Sequence, residues 1–161
     1  MVDIAEFRKA MSKFASGVTV VTSMDDEGKP HSMTANSFTS VCLDPPTLLI
    51  CLAHGTHTYG YVEARGEFGI NILFAGQEDL GAYFAKRPED RTGHVDYHYS
   101  FGNDGIPVLD NSMVFFGCKV VGSHVCGDHT VYFGEVKEVR QEDDGVPLMF
   151  YQSRWYRPAD K

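Results

Sequence analysis

The sequence contains no apolar run approaching the roughly 18 residues that a membrane-spanning helix needs, and Asp3, Glu6, Arg8 and Lys9 stand where a signal peptide would be apolar. These absences point to a soluble, cytoplasmic protein. No Cys-x-x-Cys pair occurs. Cys42, Cys51, Cys118 and Cys126 stand singly in hydrophobic stretches, so neither a zinc ribbon nor a thioredoxin-type redox motif is suggested, and reduced thiols are the plain reading. Positive charge is also scarce, with 14 Lys and Arg against 22 Asp and Glu for a net charge of −8. That balance disfavours nucleic acid, and any anionic ligand must be held by local donors rather than by the global field. No Gly-x-Gly-x-x-Gly fingerprint or Walker loop is present, so a dinucleotide would have to use a surface other than a Rossmann crevice. The pairs His54/His57 and His124/His129 lack the His-Glu-x-x-His arrangement or a cysteine pair, and no metal is expected.

What the sequence does contain fits one domain over residues 1–161, long enough to bury a core without staples. Ile4, Phe7, Met11 and Phe14 recur at helical spacing behind Asp3 and Glu6, which predicts a short amphipathic helix covering the core. Val18 onward is β-branched, and the cluster from Asp25 to Pro30 reads as a hairpin turn before an extended segment from His31. Further strands are expected at Thr47–Leu52, Glu67–Leu73, from Met113 to Val120, His129–Arg140 and Leu148–Tyr151, with a helix over Gln77–Lys86. Strands joined by turn clusters and flanked by two helices suggest a mainly β, small closed barrel rather than a wound parallel sheet. Lys86–Ile106 is a polar stretch of about twenty residues, longer than loops usually run without a role. Its aromatic residues suit a flap beside a ring-shaped ligand.

One run stands out: Thr34, Ala35, Asn36, Ser37, Phe38, Thr39, Ser40 and Val41, ending in Asp44-Pro45-Pro46. Small hydroxyl and amide side chains on an extended strand leave room for a flat ring against the backbone, and Pro45-Pro46 would stop that strand where a ligand crevice opens. Together with Phe7–Thr22, Phe68-Gly69-Ile70-Asn71-Ile72-Leu73, Gly127-Asp128-His129 and the closing Tyr151, Arg154 and Tyr156, this run resembles the short-chain flavin reductase family over nearly the whole chain. The resemblance implies an FMN-binding split β-barrel, homodimeric, with the flavin near the subunit interface. It implies flavin contacts from Thr34, Ala35, Asn36, Ser37 and Ser40, and from the strand end Cys51, Leu52 and Ala53. It places His54, Thr56 and Thr58 near the flavin phosphate and Asn71 on the same side; Gln77 could reach that site or cap the following helix, and Arg154 and Tyr156 could reach a phosphate, stack on a ring or form a packed edge. His129 is the candidate for positioning the nicotinamide.

Each of these positions also has a bland reading. Ser, Thr and Asn populate turns, Asn71 could be satisfied by backbone, and Gly127-Asp128 could simply turn the chain into a strand begun by His129. His54 departs from the family pattern where relatives tend to carry a basic residue. A neutral imidazole neutralises phosphate poorly, which suits a flavin that is released after reduction. The activity implied is hydride transfer from NADH or NADPH to FMN or FAD, with reduced flavin supplied to a partner monooxygenase. The alternatives are a flavin-binding electron carrier and a split-barrel oxidase.

Overall fold

The computed structural model describes residues 2–142 and 145–158. The chain runs through helix α1 (Ile4–Met11) and strands β1 (Ser16–Gly17), β2 (Thr19–Met24), β3 (Pro30–Ala35), β4 (Phe38–Leu43) and β5 (Pro46–Ala53). Helix α2 (His57–Arg65), β6 (Glu67–Ile72) and α3 (Glu78–Phe84) follow. After β7 (Tyr99–Phe101) and β8 (Pro107–Leu109) come the long β9 (Val114–Cys126) and β10 (His129–Gln141), then the hairpin of β11 (Met149–Tyr151) and β12 (Arg154–Tyr156).

Seven strands form one antiparallel sheet in the order β3-β2-β6-β9-β10-β5-β4. Its two edges, β3 and β4, are separated in sequence only by Asn36 and Ser37. The step from Ala35 to Phe38 can span at most roughly 11 Å, so the sheet has to curl until its edges nearly meet. This is the expected split barrel. The hydroxyl-rich run is therefore two strands and not one, broken where the chain crosses from one sheet edge to the other.

Of three apolar clusters among the described residues, the two larger lie on opposite faces of the curled sheet. Val21, Leu48, Ile50, Leu52, Phe68, Ile70, Cys118 and Tyr132 fill the interior together with Val62 of α2. Val18, Val20, Leu73, Leu109 and Leu148 pack outside, beneath Leu80 and Phe84 of α3. Strand β2 feeds both cores with adjacent valines, which explains its unbroken run of buried residues.

Four expectations change. Helix α1 forms, with Asp3 accepting from the Glu6 N–H at 2.9 Å, but Ile4, Phe7, Met11 and the following Phe14 are exposed and cover no core of this chain. Helix α2 was not expected, because Thr, Tyr and Gly at its start mask helical periodicity; Thr56 caps it and Gly66, at φ 66°, ends it. Asp44 and Pro45 are the turn of the β4–β5 hairpin, so the crevice opens at the far end of β5, beside Ala53, rather than at the prolines. Finally, the Lys86–Ile106 stretch borders the cavity through Lys86–Glu89 and Arg91, but Tyr97 and Tyr99 are not among the lining residues. Their rings pack edge to face with each other, and Tyr97 packs likewise on Phe84 of the outer core.

Candidate functional site

A cavity of about 400 Å³ opens at one end of the barrel. Its floor is His31 and Met33 on β3 with Ala53 at the end of β5; one wall is Gly55–Thr58, entering α2, and the other is Ala85–Glu89 with Arg91. Period-two alternation puts His31 and Met33 on the cavity face, while Thr34 turns away to donate its hydroxyl to the Gly81 carbonyl at 2.7 Å.

The wall at α2 is ordered by its own hydroxyls. Thr56 accepts from the Tyr59 N–H at 3.3 Å and donates to the Ala53 carbonyl at 2.8 Å, fixing the helix start against the strand end. Thr58 is wholly buried, with Oγ1 2.9 Å from His31 Nε2. His31 lies edge-on to Tyr61 at 5.0 Å. Burial, reinforced by the charges of Arg91 and His57, lowers its pKa to about 4, so it is a neutral imidazole at neutral pH. The opposite wall carries Lys86 and Arg87, and Glu89 reaches back to within 3.8 Å of His57 Nε2.

Adjoining the cavity, β5 and β10 pair with Ala53 opposite His129. His54 donates its N–H to the Asp128 carbonyl at 2.9 Å and sets Nε2 3.0 Å from Thr130 Oγ1. His129 Nδ1 is 2.8 Å from Asp128 Oδ1, with its side chain half exposed. Ser37 donates its hydroxyl to the Cys51 carbonyl at 2.8 Å, and burial pushes the Cys51 thiol up. Ala35 and Asn36 border this end, the first accepting from Thr19 Oγ1 at 2.5 Å and the second donating to Ser16 Oγ at 3.1 Å. The barrel end thus brings together Ala35, Asn36, Ser37, Cys51, Ala53, His54, Thr56, Thr58 and His129. Leu52 is present there through its main chain only, since its side chain fills the barrel.

Other sequence candidates lie apart. Asn71 is wholly buried, donating from Nδ2 to the Val20 carbonyl and Thr22 Oγ1 and accepting from the Leu109 N–H, which is the backbone-satisfied alternative. Gln77 sits at the N-cap of α3, but its amide accepts from the Phe74 N–H and donates to the Asn111 carbonyl. Ser40 is exposed on β4. Arg154 and Tyr156 are exposed on β12, with Tyr156 edge-on to Tyr151. His31 and Met33 were missed by sequence reasoning; the alternation from His31 onward was the available signal.

The donor set suits a phosphate-bearing aromatic nucleotide. The start of α2, with Thr56 at its cap, faces Lys86 and Arg87 across a cavity that also offers Met33, Ala53 and Ala85 as apolar surface. The family model described as "Flavin reductase like domain" matches residues 11–159. The chain belongs to this family. An NADH-dependent flavin reductase of a Rhodococcus species is 41% identical over 148 residues, covering 89% of this chain and 80% of the relative. The flavin reductase (NADPH) of Lentzea aerocolonigenes is 43% identical over 150 residues, covering 92% and 86%. A solved structure, the flavin reductase component of a bacterial two-component tryptophan halogenase, superposes with a TM-score of 0.87 at 33% identity over 99% of this chain and 100% of that one. A flavin reductase like domain therefore spans the barrel end and both of its cavity walls.

Proposed function

We propose that this protein is an NAD(P)H:flavin oxidoreductase that transfers hydride from NADH or NADPH to FMN or FAD and supplies the reduced flavin to a partner monooxygenase. The observation that carries the reading is the convergence of Ser37, Cys51, Ala53, His54 and His129 on one barrel end beside a cavity with phosphate-suited walls, in a chain of this family.

When bound, the flavin accepts hydride from the nicotinamide; position and electrostatics are the protein's part. In this reading the Ala35–Ser37 and Cys51–His54 backbone segments border the ring, and Thr56 and the start of α2 take the phosphate side, with Thr58 buried behind them against His31. His129, anchored on Asp128, orients the nicotinamide. Neutral His31 beneath the cavity contributes no positive charge to the phosphate side, which is left to the cations on the opposite wall.

The same proposal includes a homodimer and a cytoplasmic location, where soluble NADH and NADPH are available. Support for a second copy comes from apolar side chains exposed on this one, namely Val41 and Leu43 on β4, Val121 and Val125 on β9, and the α1 stripe. No helix among the described residues is long and apolar enough to cross a membrane.

Anaerobic mixing of the purified protein with FMN or FAD and then NADH or NADPH tests the activity. Bleaching of the flavin absorbance supports the reductase. A flavin that stays yellow with every donor would turn the reading towards an electron carrier.

A further inference from the structure

The cavity wall formed by Lys86–Arg91 is clamped in place by one side chain. Arg91 Nη2 donates to the Ser32 carbonyl at 2.6 Å and Nε to the Lys86 carbonyl at 3.3 Å. Its guanidinium lies 5.1 Å from the centroid of the Phe84 ring and 5.6 Å from that of Tyr83. Ser32 sits on β3 between the cavity residues His31 and Met33, and its hydroxyl is 2.7 Å from Tyr99 OH. Arg91 therefore ties the loop wall to the strand floor. A planar fork with several donors and a stacking face can make all of these contacts together; an ammonium cannot.

With Arg91 committed in this way, the charge offered to a ligand is that of its neighbours. Lys86 and Arg87 are exposed on the cavity wall, and among the described residues neither takes part in an ion pair. Glu89, the carboxylate lining the same cavity, faces His57 on the opposite wall. In a chain of net charge −8 a nucleotide phosphate is repelled at long range and needs such local cations.

We propose that Lys86 and Arg87 form a phosphomonoester subsite of the nucleotide cavity and that Arg91 is the positioning residue that holds it. The inference rests on the flavin reductase reading. Two substrates carry the chemistry, FMN through its 5′-phosphate and NADPH through its 2′-phosphate.

The experiment compares wild type, the double variant K86Q/R87Q, R91K and R91Q by equilibrium titration with FMN and with riboflavin, and by KM for NADPH and NADH. Loss of two charge-assisted contacts should weaken the phosphorylated ligand by about tenfold or more while its unphosphorylated counterpart moves less than about twofold. A narrowed gap between the Kd values of FMN and riboflavin alone identifies the 5′-phosphate, and a lost NADPH preference identifies the 2′-phosphate. R91Q should reproduce the same selective loss with Lys86 and Arg87 intact, and R91K should fail to rescue it. If K86Q/R87Q weakens neither phosphorylated ligand more than its unphosphorylated counterpart, the subsite is wrong; if R91K behaves as wild type, the positioning role is wrong. The exposed double variant keeps the test open should R91Q fold poorly. Absence of turnover with every donor and flavin would overturn the reductase reading instead, and the FMN and riboflavin titrations would still decide the subsite.

Discussion

Truncating Asn71 to alanine should damage the fold and spare the flavin. The carboxamide donates to the Val20 carbonyl at 3.1 Å and to Thr22 Oγ1 at 3.2 Å, and it accepts from the Leu109 N–H at 2.8 Å, all out of contact with water. Its loss strands the Leu109 N–H, at about 1–3 kcal/mol, and removes two donated bonds worth about 0.5–1.5 kcal/mol each. Thr22 keeps its own bond to the Pro107 carbonyl at 2.6 Å, so that hydroxyl is not orphaned. The expected destabilisation is about 3–5 kcal/mol, equivalent to a fall in Tm of roughly 6–20 °C for a domain of this size. Urea unfolding at fixed protein concentration measures the first quantity, and titration of the folded variant with FMN measures the second. A stability loss below about 1 kcal/mol would refute the hydrogen-bond account. A flavin affinity weakened more than about tenfold in folded protein would show that the amide meets the cofactor after all.

His129→Ala should leave stability within about 0.5 kcal/mol, because among the described residues the half-exposed ring bonds only the Asp128 side chain. It should slow flavin reduction by about tenfold or more while flavin affinity moves less than about threefold, as stopped-flow and titration would show; equal losses in both would contradict its assignment to the nicotinamide. His31 binds its proton less readily in the folded chain, at about 4 against an ordinary 6.5, so the unfolded chain takes up the proton first and stability falls as pH drops through that window. Urea midpoints from about pH 7 to about pH 4.5 should fall more steeply for wild type than for His31→Gln. Asp25 and Asp128, held low by the Lys29 N–H and the His129 ring respectively, act only at lower pH. Gly134→Ala should cost about 1–3 kcal/mol by the same urea assay, since a Cβ there would stand 2.5 Å from Phe68 Cζ and 3.0 Å from Cys118 Cβ inside the barrel; an unchanged midpoint would mean that the interior is looser than described.

Legibility in the sequence followed local chemistry. The Asp25 turn was readable because one carboxylate accepts from both the Glu27 and Lys29 N–H groups, and β5, β6 and β10 were readable from their apolar content. Gly127-Asp128 turning into a strand at His129 was readable for the same reason, with Gly127 at φ 59°. Helix α2 was hidden because its buried residues, Thr58 and Val62, are two positions on a helix with little apolar contrast. The break between β3 and β4 was hidden because sheet closure is a long-range event, and nothing local tells Asn36 and Ser37 that they join opposite edges. For the site, the resemblance supplied the barrel-end segments, but not the cavity floor of His31 and Met33 nor the clamp by Arg91. These depend on which face of β3 meets a loop up to 59 residues away in sequence. Asn71 shows the limit in the other direction, since an amide in an apolar strand demands a partner, and only the folded chain says that the partner is backbone.

The central claim is tested most directly by steady-state oxidation of NADH and NADPH with no added flavin, FMN, FAD or riboflavin. Turnover that rises and saturates with added FMN or FAD is the predicted result for a reductase that releases its reduced product to a partner. No turnover with any pair, from folded protein that binds flavin, would contradict it.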